Sequence, residues 1–278
     1  MDNIRGKKIG LIAGGGALPH EVIKNAVDQG YQIFVAALDG FAQATDFDVA
    51  SETFGFVQFR ALMKRFKQEK CTHVTFAGKV SRPDLSKIKP SIRDIPLLAK
   101  VAAAATKGDD GLLKFLVSLF EAEGFEILAP QDICSSSLVE AGALGKTKPT
   151  PNQKQDMDKA MQIAALIGGA DIGQGAVVHK GLVLAVEAQE GTDKMLERVA
   201  ALPDAIRGGV LAKCLKPGQE DRVDLPTIGV TTVELAKKAD MAGIALVTGR
   251  AFIMNPGEVR TRADKYGIFI YGMDASDG

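Results

Sequence analysis

The sequence predicts an α/β protein with an N-terminal Rossmann-like domain, built on a parallel sheet, and a C-terminal α/β domain. At the start, an apolar run over residues 8–13 leads through Gly14-Gly15-Gly16 into a helical pattern and then into a second apolar run over 32–38. Strand, glycine turn, helix and strand in this order begin a parallel βαβ unit. Helix and strand patterns start afresh beyond residue 151, after a polar stretch that contains two prolines.

The polar stretch over residues 146–151 reads KTKPTP. Proline cannot continue a helix or a central strand, because it lacks a backbone N–H and its ring obstructs the preceding turn. The chain of 278 residues is long enough for two domains of ordinary size. We therefore predict an N-terminal domain over residues 1–145, a linker over 146–152 and a C-terminal domain over 153–278.

In the N-terminal domain, short apolar runs bounded by glycine or polar residues predict strands. They cover residues 8–13, 32–38, 54–59, 73–77 and 125–128. Apolar residues at helical spacing follow Gly16 and recur over residues 61–69 and 96–123. The last of these patterns is interrupted at residues 107–110, so we expect two helices there.

In the C-terminal domain, the same reasoning predicts helices over residues 154–167, 193–202 and 231–239. A hairpin across Lys180-Gly181 joins two predicted strands. The predicted strands of this domain cover residues 176–178, 182–186, 210–214, 244–247, 251–253 and 268–271.

Composition and charge limit the classes of function. Hydrophobic residues make up 46% and charged residues 24% of the chain, which is typical of a globular protein. The 34 Lys and Arg residues equal the 34 Asp and Glu residues. Nucleic acid is therefore not expected as the main partner, because that role needs a basic surplus. No apolar stretch approaches the roughly 20 residues that span a bilayer, so we expect a cytoplasmic protein whose membrane contacts are at most peripheral.

Gly14, Gly15 and Gly16 follow the first predicted strand and open a helix. Bare glycine backbones with free helix N–H groups form a cradle for anions, so we assign these glycines to substrate phosphate. The dinucleotide fingerprint G-x-G-x-x-G needs a third glycine where this chain has Pro19. Asp39 ends the second strand, where a ribose-binding acid would lie. A tight turn of the kind found in any α/β protein is the alternative.

A polar segment follows the predicted strand over residues 73–77. Gly78, Ser81 and Arg82 lie in it, at the strand's carboxyl end, and we predict that they bind substrate because ligands of open α/β sheets bind at that edge. Arg82 can bind a phosphate through two parallel hydrogen bonds. The alternative is a capped loop with a surface ion pair.

Lys107-Gly108-Asp109-Asp110 interrupts an apolar helical region. Adjacent carboxylates repel each other, so we interpret Asp109 and Asp110 as metal ligands and Lys107 as a substrate-binding residue. The start of a helix, which favours Asp, explains these residues equally well.

Polar residues also flank the predicted hairpin, with Gln174 before it and the segment EAQEGTD over residues 187–193 after it. Thr192 or Asp193 can cap the next helix, but that role does not account for both Glu187 and Glu190. We therefore predict a polar ligand site there. Its metal ligands are Glu187 and Glu190, and its substrate-binding residues are Gln174, Gln189, Gly191 and Thr192.

The densest polar segment covers residues 216–229 and reads KPGQEDRVDLPTIG. In it, Asp224 lies between Val223 and Leu225. A carboxylate in an apolar setting, with cations close in sequence, can act as a base or a metal ligand. A charged surface loop is the alternative. The residues that we predict to bind substrate here are Lys216, Arg222 and Thr227.

Several segments together resemble the LpxI-type UDP-2,3-diacylglucosamine pyrophosphatases. They are GLIAGGGALP, FAGKVSRPD, ATKGDDGLL, DIGQGAVV, GLVLAVEAQEGTD, IRGGVLAK and KPGQEDRVDLPTIG. The resemblance extends from Lys8 to about Gly272, and AVEAQEGTD and RVDLPTIG are its most specific pieces. Lys79 departs from it, since an Asn is expected there in some relatives.

The resemblance implies an enzyme that hydrolyses the pyrophosphate of UDP-2,3-diacylglucosamine to UMP and 2,3-diacylglucosamine 1-phosphate (lipid X), an early step in lipid A synthesis. It implies a divalent cation, Mg²⁺ or another, and it maps the family's catalytic aspartate, in R-x-D-L-P, onto Asp224. With this substrate we expect peripheral contact with the cytoplasmic face of the inner membrane. The resemblance leaves homo-oligomerisation open.

Two other classes of function stay open. A Rossmann-type NAD(P)-dependent oxidoreductase fits Gly14-Gly15-Gly16 and Asp39 but not Pro19. A non-catalytic protein that binds a nucleotide sugar or a lipid fits the same polar segments. Nicotinamide titration separates the first from a hydrolase, and phosphate release from the UDP-sugar lipid separates the second.

Overall fold

The computed structural model of the chain describes residues 7–80, 95–106, 108–216, 218 and 220–274, apart from the side chain of Asp109. The chain divides into two compact units, each with α/β architecture. The first comprises the described residues of 1–135 together with Glu220–Asp224, and the second comprises those of 136–219 and 225–278. A short piece of the C-terminal half of the sequence therefore belongs to the first unit.

The first unit is built on a parallel sheet with connecting helices. Its strands are β1 (Lys8–Ala13), β2 (Gln32–Leu38), β3 (Ser51–Phe54), β4 (His73–Ala77) and β5 (Glu126–Ile127). Its helices are α1 (Leu18–Asp28), α2 (Phe59–Gln68), α3 (Ile95–Ala105), α4 (Gly108–Ala122) and α5 (Pro130–Ile133). The paired strands all run parallel, in the order β3-β2-β1-β4-β5, which is the Rossmann-like arrangement that the sequence predicts.

Aromatic side chains pack the helices of this unit against the sheet. β1, β2 and β4 are buried along nearly their whole length, as expected of strands in a parallel sheet. Phe66 of α2 and Phe120 of α4 are fully buried, with ring centroids 6.4 Å apart. Gly10 of β1 leaves room for Phe66, because a Cβ at that position would lie 2.6 Å from the ring.

The third strand lies earlier than predicted. The sequence suggests a strand over residues 54–59, but β3 ends at Phe54 and α2 begins at Phe59. A turn separates them, in which Gln58 N donates to Gly55 O at 2.9 Å and the Gln58 side-chain oxygen accepts from Gly55 N at 3.0 Å. These two bonds satisfy backbone groups that a longer strand would have paired across the sheet.

The second unit is built on a mixed sheet. Its strands are β6 (Gly142–Ala143), β7 (Gly175–His179), β8 (Leu182–Val186), β9 (Gly209–Lys213), β10 (Thr227–Ile228), β11 (Met241–Val247), β12 (Phe252–Ile253) and β13 (Phe269–Met273). Its helices are α6 (Pro151–Gly169), α7 (Gly191–Ala200), α8 (Val230–Lys238) and α9 (Pro256–Tyr266). The main sheet has the order β6-β13-β11-β9-β7-β8, and β10 pairs separately with β12.

Alternate residues of the central strands in this unit face two different cores. In β9, Val210 and Ala212 pack in the core that contains α6, whereas Leu211 packs in the core that contains α7, α8 and α9. Val177 of β7 joins the same core as Leu211. Side chains along a strand point to opposite faces in turn, so α6 covers one face of the sheet and the other three helices cover the opposite face.

The division between the units lies at Ser135 and Ser136, earlier than the predicted linker over residues 146–152. β6 pairs with β13, so the chain has already joined the second unit at residue 142. Pro151 is the first residue of α6, and Thr150 caps that helix by accepting from Gln153 N at 3.3 Å. The prolines therefore mark a helix start, where the missing N–H of proline costs nothing.

The three cysteines are buried free thiols. Burial raises the pKa of Cys71 and Cys214 to about 11 and that of Cys134 to about 12. The thiolate is the reactive form of cysteine, so we expect these side chains to be inert core residues.

Candidate functional site

The carboxyl ends of β1 and β4 lie side by side, and each leads into a glycine turn. Gly14 N donates to Ala77 O at 2.8 Å. Gly15 N donates to Lys79 O at 2.9 Å, and Lys79 N donates back to Gly15 O at 2.8 Å. The strand order reverses at this pair, since β2 and β3 lie beyond β1 and β5 lies beyond β4. Ligands of open α/β sheets bind beside such a reversal, so this edge is one candidate site.

The two turns approach so closely that both need glycine. Gly78 has a φ of +100°, and a Cβ there would lie 2.7 Å from the backbone of Gly14. The bonds between the turns occupy the amides of Gly14 and Gly15, so these amides are not available to a ligand. Gly16 is exposed and lies two residues before Leu18, the first residue of α1. The predicted anion cradle is thus reduced to Gly16 and the first turn of α1, where Pro19 offers no N–H.

We expect Gly78→Ala to lower the free energy of unfolding by about 3 kcal/mol, because it combines left-handed backbone strain with a clash against Gly14. Gly16→Ala is the matched control. It also has a positive φ, but no described heavy atom lies within 4 Å of its Cβ position, so we expect a loss of about 1 kcal/mol. Urea unfolding measures both variants, and equal losses would show that the contact between the turns is unimportant.

Residues Glu220–Asp224, which we call the docked segment, are held on the first unit by hydrogen bonds to its helices. Glu220 N donates to Oδ1 of Asp110, at the start of α4, at 2.9 Å. Gln131 Nε2 of α5 donates to Asp221 O at 2.9 Å. The backbone of the segment is therefore fixed at two consecutive residues.

The Arg222 guanidinium is bound by two carboxylates. Its Nε and Nη2 donate to the two carboxylate oxygens of Glu220 at 2.7 and 2.8 Å, and its Nη1 donates to Glu121 Oε1 at 2.8 Å. The hydrogen bond from Arg222 lowers the pKa of Glu220, and the bonds to Glu220 and Glu121 raise the pKa of Arg222. The pairing therefore stabilises the fold above the ordinary glutamate pKa of about 4.3, and this contribution is lost as the pH falls through the lowered pKa of Glu220. Arg222, predicted to bind substrate, has these three donor nitrogens engaged within the protein.

Asp224, the predicted catalytic residue, is the last residue of the docked segment and is half-buried. Val223 before it packs against the apolar core of the first unit, and Leu225 after it is buried. Two residues on from Asp224, Pro226 O accepts from Phe252 N at 2.8 Å. The backbone is thus anchored on both sides of Asp224.

A second group of polar residues lies in the second unit, at the carboxyl ends of β8 and β9. Gly175 of β7 is the register partner of Lys213, and its carbonyl accepts from Glu187 N at 2.8 Å. Glu187 and Lys213 therefore flank this glycine, and by strand alternation both point to the face that α7 and α8 cover. Only 6% of Glu187 and 4% of Lys213 is exposed. Because burying charged groups is costly, this pair marks a second candidate site.

One carboxylate oxygen of Glu187 has no hydrogen-bond partner among the described residues. Thr192 Oγ1, at the start of α7, donates to Oε1 at 3.0 Å. Oε2 lies against Gly175, where a Cβ would be 2.6 Å away. The side-chain oxygen of Gln174 is likewise buried without a partner among the described residues. The structure therefore brings three predicted residues, Gln174, Glu187 and Thr192, to one end of this sheet.

Sequence reasoning missed Lys213. Among the lysines and arginines whose side chains are described, it is the only buried one. Its Nζ donates to the carbonyl of Thr227, a predicted substrate-binding residue, at 3.3 Å. A lysine inside the apolar run GGVLAKC is the signal that could have identified it, because lysine is rarely buried without a specific reason.

The predicted metal ligands do not form a cluster of three or more metal-ligating side chains among the described residues. Asp110 Oδ2 pairs with Lys114 at 2.7 Å, and its Oδ1 accepts from the docked segment. Glu190 is exposed and paired with Arg198, and its pKa is lowered first by a bond from its own backbone amide and then by Arg198. The side chain of Asp109 lies outside the described atoms. Metal binding by these residues stays a prediction.

The other predicted substrate-binding residues are dispersed. Lys216 Nζ donates to Asp171 Oδ1 at 2.6 Å. Gln189 is exposed, and Gly191 begins α7 with a φ of +81°. Three predicted residues lie outside the described ranges: Ser81, Arg82 and Lys107. Contact of any of these residues with substrate stays a prediction.

Comparison with known proteins identifies relatives along the whole chain. The family model of the LpxI N-terminal domain matches residues 8–137, and that of the LpxI C-terminal domain matches residues 140–271. The UDP-2,3-diacylglucosamine pyrophosphatase LpxI of Caulobacter vibrioides is 46% identical over 277 residues, which cover 98% of this chain and 99% of that protein. Among solved structures, CobK precorrin-6A reductase aligns over 96% of this chain and 88% of its own, with 13% identity and a TM-score of 0.32. A TM-score this low implies nothing further about this chain.

Proposed function

Because the chain belongs to the LpxI family, we propose that it is a hydrolase that cleaves the pyrophosphate of UDP-2,3-diacylglucosamine. The products are UMP and 2,3-diacylglucosamine 1-phosphate, and the reaction serves lipid A biosynthesis. The observation that carries the proposal is the full-length match, at 46% identity, to a relative named for this activity. The anchored backbone around Asp224 supports it, since hydrolysis needs a carboxylate at a fixed position.

Pyrophosphate hydrolysis requires an oriented water and neutralisation of the charge on the phosphates. We assign the first task to Asp224, whose carboxylate accepts a proton from the attacking water. The water oxygen bonds to one phosphorus, the P–O bond of the anhydride breaks, and the other phosphate leaves with the bonding electrons. We assign the amides at the start of α1 to a phosphate at the first candidate site and, as a separate assignment, the buried ammonium of Lys213 to a phosphate at the second candidate site.

When bound, a divalent cation, Mg²⁺ or another, supplies further positive charge to the phosphates. Proteins usually hold Mg²⁺ through one or two carboxylates together with phosphate oxygens of the substrate. That mode fits the described residues, among which no three His, Cys, Asp or Glu side chains cluster. Among the predicted metal ligands, Asp110 and Glu190 are paired with basic side chains, whereas one carboxylate oxygen of Glu187 has no hydrogen-bond partner among the described residues, so Glu187 is the carboxylate that we assign to the cation.

We expect Lys213→Met to weaken the binding of UDP roughly 10- to 100-fold, because a hydrogen bond from an ammonium to a phosphate is lost. Methionine preserves the length of the side chain in its buried position. Lys159→Met is the control, since Lys159 is exposed on α6 and donates to a loop carbonyl, that of Gly181, at 2.6 Å. Calorimetric titration with UDP measures both variants. Wild-type affinity in Lys213→Met would remove Lys213 from the ligand site.

Release of UMP from UDP-2,3-diacylglucosamine by the purified protein with Mg²⁺ tests the proposed activity. We expect steady turnover, with 2,3-diacylglucosamine 1-phosphate as the second product. Tight binding of the same compound without product would point to a nucleotide-sugar or lipid-binding protein. Binding of NADH or NADPH in a fluorescence titration, without hydrolysis, would point to an oxidoreductase.

The proposed substrate carries two acyl chains, so we expect the enzyme to meet it at a membrane surface. The contact that we propose is peripheral and lies on the cytoplasmic face of the inner membrane. Within the described ranges, each helix is too short or too polar to serve as a membrane-spanning segment. Homo-oligomerisation stays an untested expectation.

A further inference from the structure

The docked segment is attached to the first unit at each of its first four residues. The amide of Glu220 bonds to Asp110, and Gln131 bonds to the carbonyl of the next residue. Arg222 bonds to Glu121, and Val223 packs against the core. Asp224 is the next residue along the chain, so its position is set directly by these attachments.

The ion pair between Arg222 and Glu121 is half-exposed, since 40% of the Arg222 side chain and 44% of the Glu121 side chain is accessible. Exposed ion pairs add little to stability. Arg222 forms a bidentate pair of hydrogen bonds with Glu220 and a third hydrogen bond with Glu121. Bidentate hydrogen bonds fix the geometry of the two groups more strongly than a single contact does. Precise placement of the backbone is thus a better explanation of this network than stability is.

We propose that Glu121 and Arg222 are positioning residues that fix the Asp224 carboxylate for hydrolysis by holding the docked segment on α4. The inference rests on the proposed function and on the role of Asp224 in it. In this proposal Arg222 holds the docked segment on α4, whereas the sequence predicts that it binds substrate. Displacing a catalytic group by about 1 Å can lower a rate by a factor of about 100, so loss of this network has a measurable effect on turnover.

A double-mutant cycle with UDP-2,3-diacylglucosamine and Mg²⁺ tests the proposal. We expect Glu121→Ala to lower kcat roughly 10- to 100-fold, with KM changed less than about twofold. Glu121→Gln keeps an acceptor oxygen at the same reach and recovers most of the rate. In the Asp224→Ala background, Glu121→Ala causes no further loss, because a residue that acts only through Asp224 has nothing left to position. Glu123→Ala, which removes the neighbouring ion pair with Lys67, is the control and keeps the wild-type kcat.

Arg222→Ala separates positioning from substrate contact. We expect Arg222→Ala alone to lower kcat. In the Asp224→Ala background, where the substrate is not cleaved, we expect the further substitution Arg222→Ala to leave the affinity for the substrate unchanged. Direct contact of Arg222 with the substrate would instead be shown by a weaker affinity in the double variant, or by a kcat of the double variant that combines the full losses of both single variants. Either result would overturn the proposal. So would a wild-type kcat in Glu121→Ala alongside a low kcat in Asp224→Ala. A wild-type kcat in Asp224→Ala itself would instead overturn the role of Asp224, and the inference with it.

Discussion

Replacement of Asp224 by alanine should lower kcat by roughly 10²- to 10⁴-fold, the usual range for the loss of a general base. Its backbone is anchored on either side by the packing of Val223 and the burial of Leu225, so we expect the carboxylate to be held at a defined position. The residue is only half-buried, and its removal leaves no large cavity, so we expect the fold to survive. Steady-state release of UMP measures the effect.

Asp204→Ala is the control for this substitution. Asp204 has 89% of its side chain exposed and pairs with Arg207 at the surface of the second unit. Its removal should leave kcat unchanged. A value for Asp224→Ala within about threefold of wild type, a change of under ~0.7 kcal/mol in activation free energy, would remove Asp224 from the mechanism and direct attention to Glu187.

Removal of divalent cations by EDTA should abolish turnover, with a loss of at least about 10²-fold, because several kcal/mol of charge stabilisation disappears. We expect added Mg²⁺ to restore the rate fully. EDTA that has first been saturated with Mg²⁺ is the control for direct effects of the chelator. Because proteins usually hold Mg²⁺ through one or two carboxylates together with phosphate oxygens of the substrate, we also expect the cation to bind weakly without substrate and tightly with it.

Calorimetric titration of Mg²⁺ into the protein, with and without UDP, gives a readout that does not depend on turnover. We expect the affinity for Mg²⁺ to rise when UDP is present, because phosphate oxygens complete its coordination. Full activity after exhaustive chelation would contradict a role for the cation. Tight binding of Mg²⁺ to the protein alone would contradict a site that depends on phosphate.

Local patterns in the sequence predict most of the first sheet. The predicted bounds of β1, β2 and β4 coincide with the observed ones, because strands buried on both faces of a parallel sheet leave continuous apolar runs. The hairpin of the second unit is also predicted, with β8 at the observed bounds. Helix α9 was missed because only two of its residues, Val259 and Ala263, are buried, so the apolar periodicity is weak.

Long-range contacts explain why the site could be predicted only in part. Asp110 and Glu220 are 110 residues apart in the sequence, and nothing in either segment indicates that they meet. The sequence therefore suggests that Asp110 binds metal and Arg222 binds substrate, whereas the structure gives both side chains partners within the first unit. Lys213 and Glu187 show the same difficulty, since their placement beside Gly175 depends on strand pairing across the sheet.

The central claim is that this chain hydrolyses UDP-2,3-diacylglucosamine through Asp224. Native mass spectrometry of the ligand that stays bound after incubation with that compound and Mg²⁺ tests it most directly. We expect wild-type protein to carry 2,3-diacylglucosamine 1-phosphate and Asp224→Ala to carry the uncleaved substrate under the same conditions. Uncleaved substrate on the wild type, or product formed equally fast by both proteins, would contradict the claim.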